Sequence, residues 1–261
     1  MIARIGAARQ RARATEDEMT LTDRGTLWIT GGGSGMGRAS ALAAARSGRR
    51  IAVSGRRAEA VEGTVQAIRD AGGEALAVPV DVRDPAALSA AHERIVETWG
   101  PVDSLVLSAG LNAPKRDWAD QEVDEFAHIV DTNLTSVVRT IDLVLPAMRA
   151  AGRGSIVVVS SVSAWRFSPG SGVAYMASKS ALAMVCASLN DQEGRHGIAA
   201  CHLCPGEVDT DFLALRPSVP GAEQRAAMLT PEDIGRAVLF VLDSPAHVRI
   251  DELVISPVGQ R

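Results

Sequence analysis

The chain has 261 residues, 46% of them hydrophobic and 22% charged, with a formal net charge of -4. That length buries one sizeable core, and an acidic balance offers no field to draw a phosphate backbone, so nucleic acid is not an expected partner. No apolar run is long enough to span a membrane and the N-terminus lacks the apolar centre of a signal peptide, so the expectation is no membrane association and a cytoplasmic location.

Residues 1–23 form an N-terminal extension, expected to be solvated or disordered: Arg4, Arg9, Arg11 and Arg13 lie among alanines, followed by Glu16-Asp17-Glu18, and Met19 is an equally good start. Residues 24–261 read as a single domain. Apolar runs at 27–30, 50–54, 75–80, 104–108, 155–160, 198–203 and 252–256 predict strands. Helical patterns lie between them at 37–47, 58–71, 85–99, 122–150, 175–193 and 231–243. This alternation, with right-handed crossovers, predicts an α/β fold: a doubly wound, parallel, seven-stranded sheet flanked by helices. Ile156-Val157-Val158-Val159 is apolar at every position, as a strand covered on both faces must be.

The first strand runs into Gly31-Gly32-Gly33-Ser34-Gly35-Met36-Gly37 and a helix follows. Glycines there permit a tight turn and let backbone N–H groups approach a pyrophosphate at a helix N-terminus, the Rossmann arrangement for a dinucleotide. The second strand ends Gly55-Arg56-Arg57 with no carboxylate for a ribose 2′-hydroxyl. Guanidinium groups match a 2′-phosphate, so NADP is preferred here, with NAD as the alternative. Asp81, after the third strand, can accept from an adenine amino group or cap the segment opening at Asp84-Pro85.

Tyr175 is the only tyrosine, and Lys179, one of two lysines, follows it by four residues, which places both on one helix face. A free phenol titrates near 10, so phenolate at neutral pH costs roughly 4 kcal/mol, and a neighbouring ammonium lowers that cost. Cys186, Cys201 and Cys204 read as reduced thiols. Cys201-His202-Leu203-Cys204 has a C-x-x-C spacing but no second ligand pair and lies in a buried strand, so no metal is expected.

Thr30-Gly31 with Gly35 and Gly37, Asp81-Val82, Ala109-Gly110, Asn133, Ser160-Ser161, Tyr175 with Lys179, and Pro205-Gly206 followed by Val208 and Thr210 together resemble the short-chain dehydrogenase/reductase family, over roughly residues 24–258. The resemblance implies an NAD(P)-dependent oxidoreductase acting on a secondary alcohol or ketone. It implies that Tyr175 is the general acid and base, that Lys179 holds the nicotinamide ribose, that Ser161 orients the substrate oxygen and that Asn133 supports a water relay. It also implies cofactor contacts from Gly31, Ser34, Gly35, Met36, Gly37, Arg56, Arg57, Asp81, Val82, Ala109, Gly110, Tyr175, Lys179, Pro205, Gly206, Val208 and Thr210. Ser163 is the alternative to Ser161, because the family's usual spacing to the tyrosine falls between the two. Leu107-Ser108 stands where relatives carry Asn-Asn. The chain's end, from Asp251 to Val258, is closer to relatives acting on serine and other 3-hydroxy acids.

Substrate specificity is expected in residues 211–228 and 163–174, since loops at the carboxyl ends of strands line the cleft. Ser163, Trp165, Phe212 and Leu215 are the candidate contacts, Phe167 and Leu213 add apolar surface, and Arg166 or Arg216 is a candidate carboxylate anchor. Competing readings are a 3-hydroxy acid or amino alcohol dehydrogenase, and a nucleotide-binding regulatory protein without turnover. The resemblance further implies a homodimer or homotetramer through the long helices beginning near Glu122 and Tyr175.

Overall fold

Strands apolar on both faces are stable only between two helical layers, and the computed structural model, which describes residues 25–259, places them there. The extension expected over 1–23 lies outside the described residues. In chain order the elements are β1 (Thr26–Thr30), α1 (Gly35–Ala45), β2 (Arg50–Val53), α2 (Ala58–Asp70), β3 (Ala75–Ala77), α3 (Pro85–Trp99) and β4 (Ser104–Leu107). There follow α4 (Val123–Val130), a π-helical turn (Asp131–Thr135), α5 (Ser136–Ala151), β5 (Gly154–Val159), α6 (Val162–Trp165), α7 (Val173–Glu193), a 3-10 turn (Gly194–His196) and β6 (Ile198–Pro205). A 3-10 turn (Asp211–Leu215), α8 (Ala222–Ala226), α9 (Pro231–Leu242) and β7 (Glu252–Ile255) complete the described chain.

Among the described residues the sheet has seven strands, all parallel, in the order β3-β2-β1-β4-β5-β6-β7. Side chains alternate across it, so β1 to β6 feed two cores. Trp28, Leu105, Ile156 and Val158 pack on one face with Leu88 and Ile95 of α3, Val144 of α5 and Leu182 of α7. Leu27, Ile29, Val106, Val157 and Val159 pack on the other with Ala41 of α1, Val61 and Val65 of α2 and Ile234 and Val238 of α9. Burying each such aliphatic side chain contributes about 1.5–3 kcal/mol. Strand order reverses between β1 and β4, which opens a crevice at their carboxyl ends. No helix among the described residues is long and apolar enough to cross a membrane.

The same alternation separates the C-x-x-C pair. Three residues along a strand reverse the facing direction, so Cys201 joins the α9 side of the core, while Cys204 lies beside His202, 3.4 Å from its Nδ1. Burial pushes each thiol up to about 12.

Two expected elements differ. The helix predicted over 122–150 is interrupted by the π turn at Asp131–Thr135. There and along the start of α5 the hydroxyls of Thr132, Ser136 and Thr140 each donate to the carbonyl four residues earlier, at 3.0, 2.6 and 2.7 Å, and compete with the regular ladder. The strand predicted over 75–80 is regular only to Ala77, because the ring of Pro79 fixes φ away from the strand value; Val78 and Val80 still donate to Val53 and Gly55 at 2.9 and 3.0 Å.

Candidate active site

β1 delivers the chain to Gly31 with φ of 69°, which side chains rarely adopt, and a Cβ there would lie 2.6 Å from the Ala109 nitrogen. Gly37, buried behind the turn, lets α1 pass so close that a Cβ would overlap the Gly31 carbonyl oxygen. Ser34 occupies the N-cap of α1 yet makes no side-chain cap bond. Its hydroxyl instead accepts from Arg57 Nη2 at 2.9 Å. The first-turn N–H groups of α1 thus have no side-chain cap and face a cavity of about 570 Å³, an arrangement suited to an anion.

That cavity is bounded by Gly31, Ser34, Gly35 and Met36 at the turn, Arg56 and Arg57 after β2, Asp81 and Val82 after β3, Ala109 and Gly110 after β4, and Thr210. Asp81 faces it already paired: Arg83 donates to its two oxygens at 3.1 and 2.6 Å, and that hydrogen-bonded guanidinium holds the carboxyl below its ordinary range. Arg83 has no signal in the sequence beyond its place two residues after Asp81. A glycine-rich turn, an uncapped helix start and the guanidinium groups of Arg56 and Arg57 fit a phosphate-bearing dinucleotide.

Tyr175 and Lys179 project from the first two turns of α7. Lys179 Nζ lies 5.9 Å from the Tyr175 ring centroid and donates to the Val159 carbonyl at 2.8 Å. It is 5% exposed, and burial pushes its ammonium down to about 8. Burial also raises the Tyr175 phenol above its ordinary value, opposed by a hydrogen bond with Ser161 and by the charges of Arg116 and Arg216. Ser161 caps α6 and accepts from the Ser163 N–H at 3.1 Å. The hydroxyl of Ser163 is 2.9 Å from that of Ser171 instead, so of the two candidate serines it is Ser161 that meets the phenol.

Asn133 sits in the π turn, fully buried. Its Oδ1 accepts from the Leu111 N–H at 2.8 Å, and its Nδ2 donates to the Leu111 carbonyl at 2.9 Å and to Ser178 Oγ at 3.1 Å. Both ends of the amide are therefore engaged in pinning the loop after β4 to α7. A Cβ on Gly110 would lie 3.4 Å from Asn133 Oδ1 and 3.5 Å from Lys179 Nζ, which shows how closely these groups converge.

A second cavity, of about 460 Å³, continues from the first past Met36, Ser108, Gly110, Thr210 and Phe212. Its walls include Ser161, Ser163, Tyr175 and Lys179, with Pro205 at the end of β6 and Gly206 and Val208 beyond it. The Phe212 ring lies 6.1 Å from that of Tyr175 at 47°. Trp165 does not reach this space. One short helical turn carries Ser163 inward and Trp165 outward, where it is 57% exposed and borders a separate hollow with Arg166 and Phe167. Leu215 lines the glycine-turn cavity rather than the space beside Tyr175. Arg216 does line that space and donates to Glu207 at 2.9 Å. So does Arg116, which sequence reasoning missed: it lies in an aperiodic loop, and the Lys115-Arg116 pair shortly after Ala109-Gly110 was its only signal.

Comparison with known proteins agrees with this geometry. Residues 26–218 match the family model described as short chain dehydrogenase. Glycine betaine reductase ATRR of Emericella nidulans is 30% identical over 234 residues, 88% of this chain, and the chain spans 18% of that protein's length. The structure of an alcohol dehydrogenase from the archaeon Thermococcus sibiricus, complexed with 5-hydroxy-NADP, superposes with a TM-score of 0.80 at 28% identity, over 90% of this chain and 97% of that one. A variant of actinorhodin polyketide ketoreductase with NADPH gives 0.83 at 27% identity, again over 90% and 97%.

Proposed function

The chain belongs to the short-chain dehydrogenase family, whose members are oxidoreductases, and from that premise we propose that it interconverts a secondary alcohol and its ketone with Tyr175 as general acid and base. One observation carries the reading. The Tyr175 phenol, the Ser161 hydroxyl and the Lys179 ammonium converge where the second cavity opens from the glycine-turn cavity. When bound, the nicotinamide cofactor supplies or takes up the hydride.

The chain's own groups then handle the proton. A phenol whose pKa is raised by burial stays protonated at neutral pH and can donate to the carbonyl oxygen during reduction. Ser161, already hydrogen-bonded to that phenol, orients the same oxygen. The Lys179 ammonium, 5.9 Å from the ring centroid, stabilises the phenolate left behind. In oxidation the phenolate removes the alcohol proton. Asn133 acts as a positioning residue through Leu111 and Ser178.

NADP is the preferred cofactor on this reading. Arg56 and Arg57 bound the cavity after β2, and Arg57 is held toward the turn by Ser34; the solved relatives carry NADPH or an NADP analogue. Asp81 faces the adenine end while sharing its carboxylate with Arg83. Exposed Val138 on α5 and Met184 on α7 fit helix pairing in a homodimer or homotetramer.

Reduced-nicotinamide absorbance over a panel of ketones and secondary alcohols, with each cofactor in turn, tests the proposal. Tyr175→Phe should lower kcat by about 10²–10⁴-fold with NADPH binding, followed by fluorescence, unchanged. A protein that binds NADPH but turns over no member of the panel would refute the enzymatic reading and favour a regulatory role.

A further inference from the structure

We propose that the substrate carries a carboxylate, held by Arg116 and Arg216 in the cavity beside Tyr175, so that the preferred substrates are oxo acids and hydroxy acids rather than neutral ketones and alcohols. The inference rests on the alcohol and ketone reading above and narrows it.

Arg116 enters the cavity from the loop after β4 with its guanidinium half-buried. Three of its five N–H donors are used on main-chain carbonyls of three separate segments. Nε donates to Ala113 at 2.6 Å, Nη1 to Gly170 at 3.1 Å and Nη2 to Leu215 at 2.6 Å. Those carbonyls orient the planar group without neutralising it. No carboxylate pairs with Arg116 among the described residues, whereas Arg49, Arg139 and Arg149 meet Asp243, Asp131 and Glu193 at 2.8, 2.8 and 2.6 Å.

Charge in the cavity is unbalanced as a result. Arg116, Arg216 and Lys179 line it against the one carboxylate of Glu207, which is already engaged by Arg216. Burial, and next the charge of Arg216, draw Arg116 below its ordinary pKa, so the two guanidinium groups repel each other. An entering carboxylate relieves that repulsion and matches the two remaining N–H donors. A purely structural clamp accounts for the three carbonyl contacts but leaves the excess charge unexplained.

The test pairs oxo acids, with ketone and carboxylate separated by a graded number of methylenes, with their methyl esters. Wild-type kcat/KM should favour the acid by about ten-fold or more at the best spacing, and Arg116→Gln should raise KM for that acid by about ten- to a hundred-fold. Whatever loss the missing clamp imposes on acid and ester alike, the acid-over-ester ratio of kcat/KM should fall by about ten-fold or more in the variant. Equal use of acid and ester by wild type, or equal losses for both in the variant, would overturn the anchor while leaving the oxidoreductase reading intact. If no carbonyl compound turns over, calorimetric titration of 4-phenylbutanoate and its amide into the NADP-loaded protein decides separately. Binding of the acid alone, lost in Arg116→Gln, sustains the anchor, and failure of the acid to bind refutes it.

Discussion

Replacing Lys179 with methionine should abolish turnover and yet make the cofactor-free protein more stable. The ammonium is held at about 8 against an ordinary value of 10.5, and burial is the first cause. At about 1.36 kcal/mol per pKa unit, confining the charge costs the folded state about 3 kcal/mol near neutral pH. Methionine fills a similar volume without charge but leaves the Val159 carbonyl, now 2.8 Å from Nζ, without that donor, a loss of about 1 kcal/mol. The expected net gain is about 2 kcal/mol. Between about pH 8 and 10.5 the unfolded chain holds a proton on this lysine that the folded one lacks. The cost is therefore fully present below about pH 8 and is relieved as pH rises through that window. Wild type should recover about 2 kcal/mol by about pH 9.5, and the variant's advantage should shrink to near zero there. Urea unfolding of both cofactor-free proteins at about pH 7 and about pH 9.5 measures this, and other titrating groups largely cancel in the difference. A variant less stable than wild type near neutrality, or an advantage that does not change with pH, would refute the argument.

Arg57→Glu should raise KM for NADPH by about ten- to a hundred-fold and change that for NADH far less; equal effects on both would place the 2′-phosphate elsewhere. Asn133→Ala removes the partner of both the N–H and the carbonyl of Leu111, so it should lower unfolding free energy by about 2–4 kcal/mol in urea titration. A loss confined to kcat would instead assign the side chain a direct chemical role. Trp165→Ala should leave kcat/KM within about two-fold for the best substrate, because the ring faces the outer hollow. A larger fall would return it to the substrate cavity.

Much of the architecture was legible along the chain because it follows from local pattern. Continuous apolar runs separated by 3.6-period stretches admit little besides a parallel sheet between two helical layers, and each of the seven expected strands pairs in the sheet. Pattern failed where one side chain overrides it. Pro79, whose ring fixes φ, ends the regular part of β3, and the hydroxyls of Thr132, Ser136 and Thr140 accompany a π turn inside what reads as a single helix.

The amino-acid sequence by itself determined the glycine turn, the Tyr175 and Lys179 pair and the serines preceding them, because backbone approach and i,i+4 spacing are properties of neighbours in the chain. Only the tertiary structure decided between Ser161 and Ser163, turned Trp165 outward, paired Asp81 with Arg83 and brought Arg116 beside Arg216. Arg116 shows the physical reason. Its orientation is set by carbonyls of residues 113, 170 and 215, which no local periodicity relates and which meet only once the sheet has brought its loops to one edge.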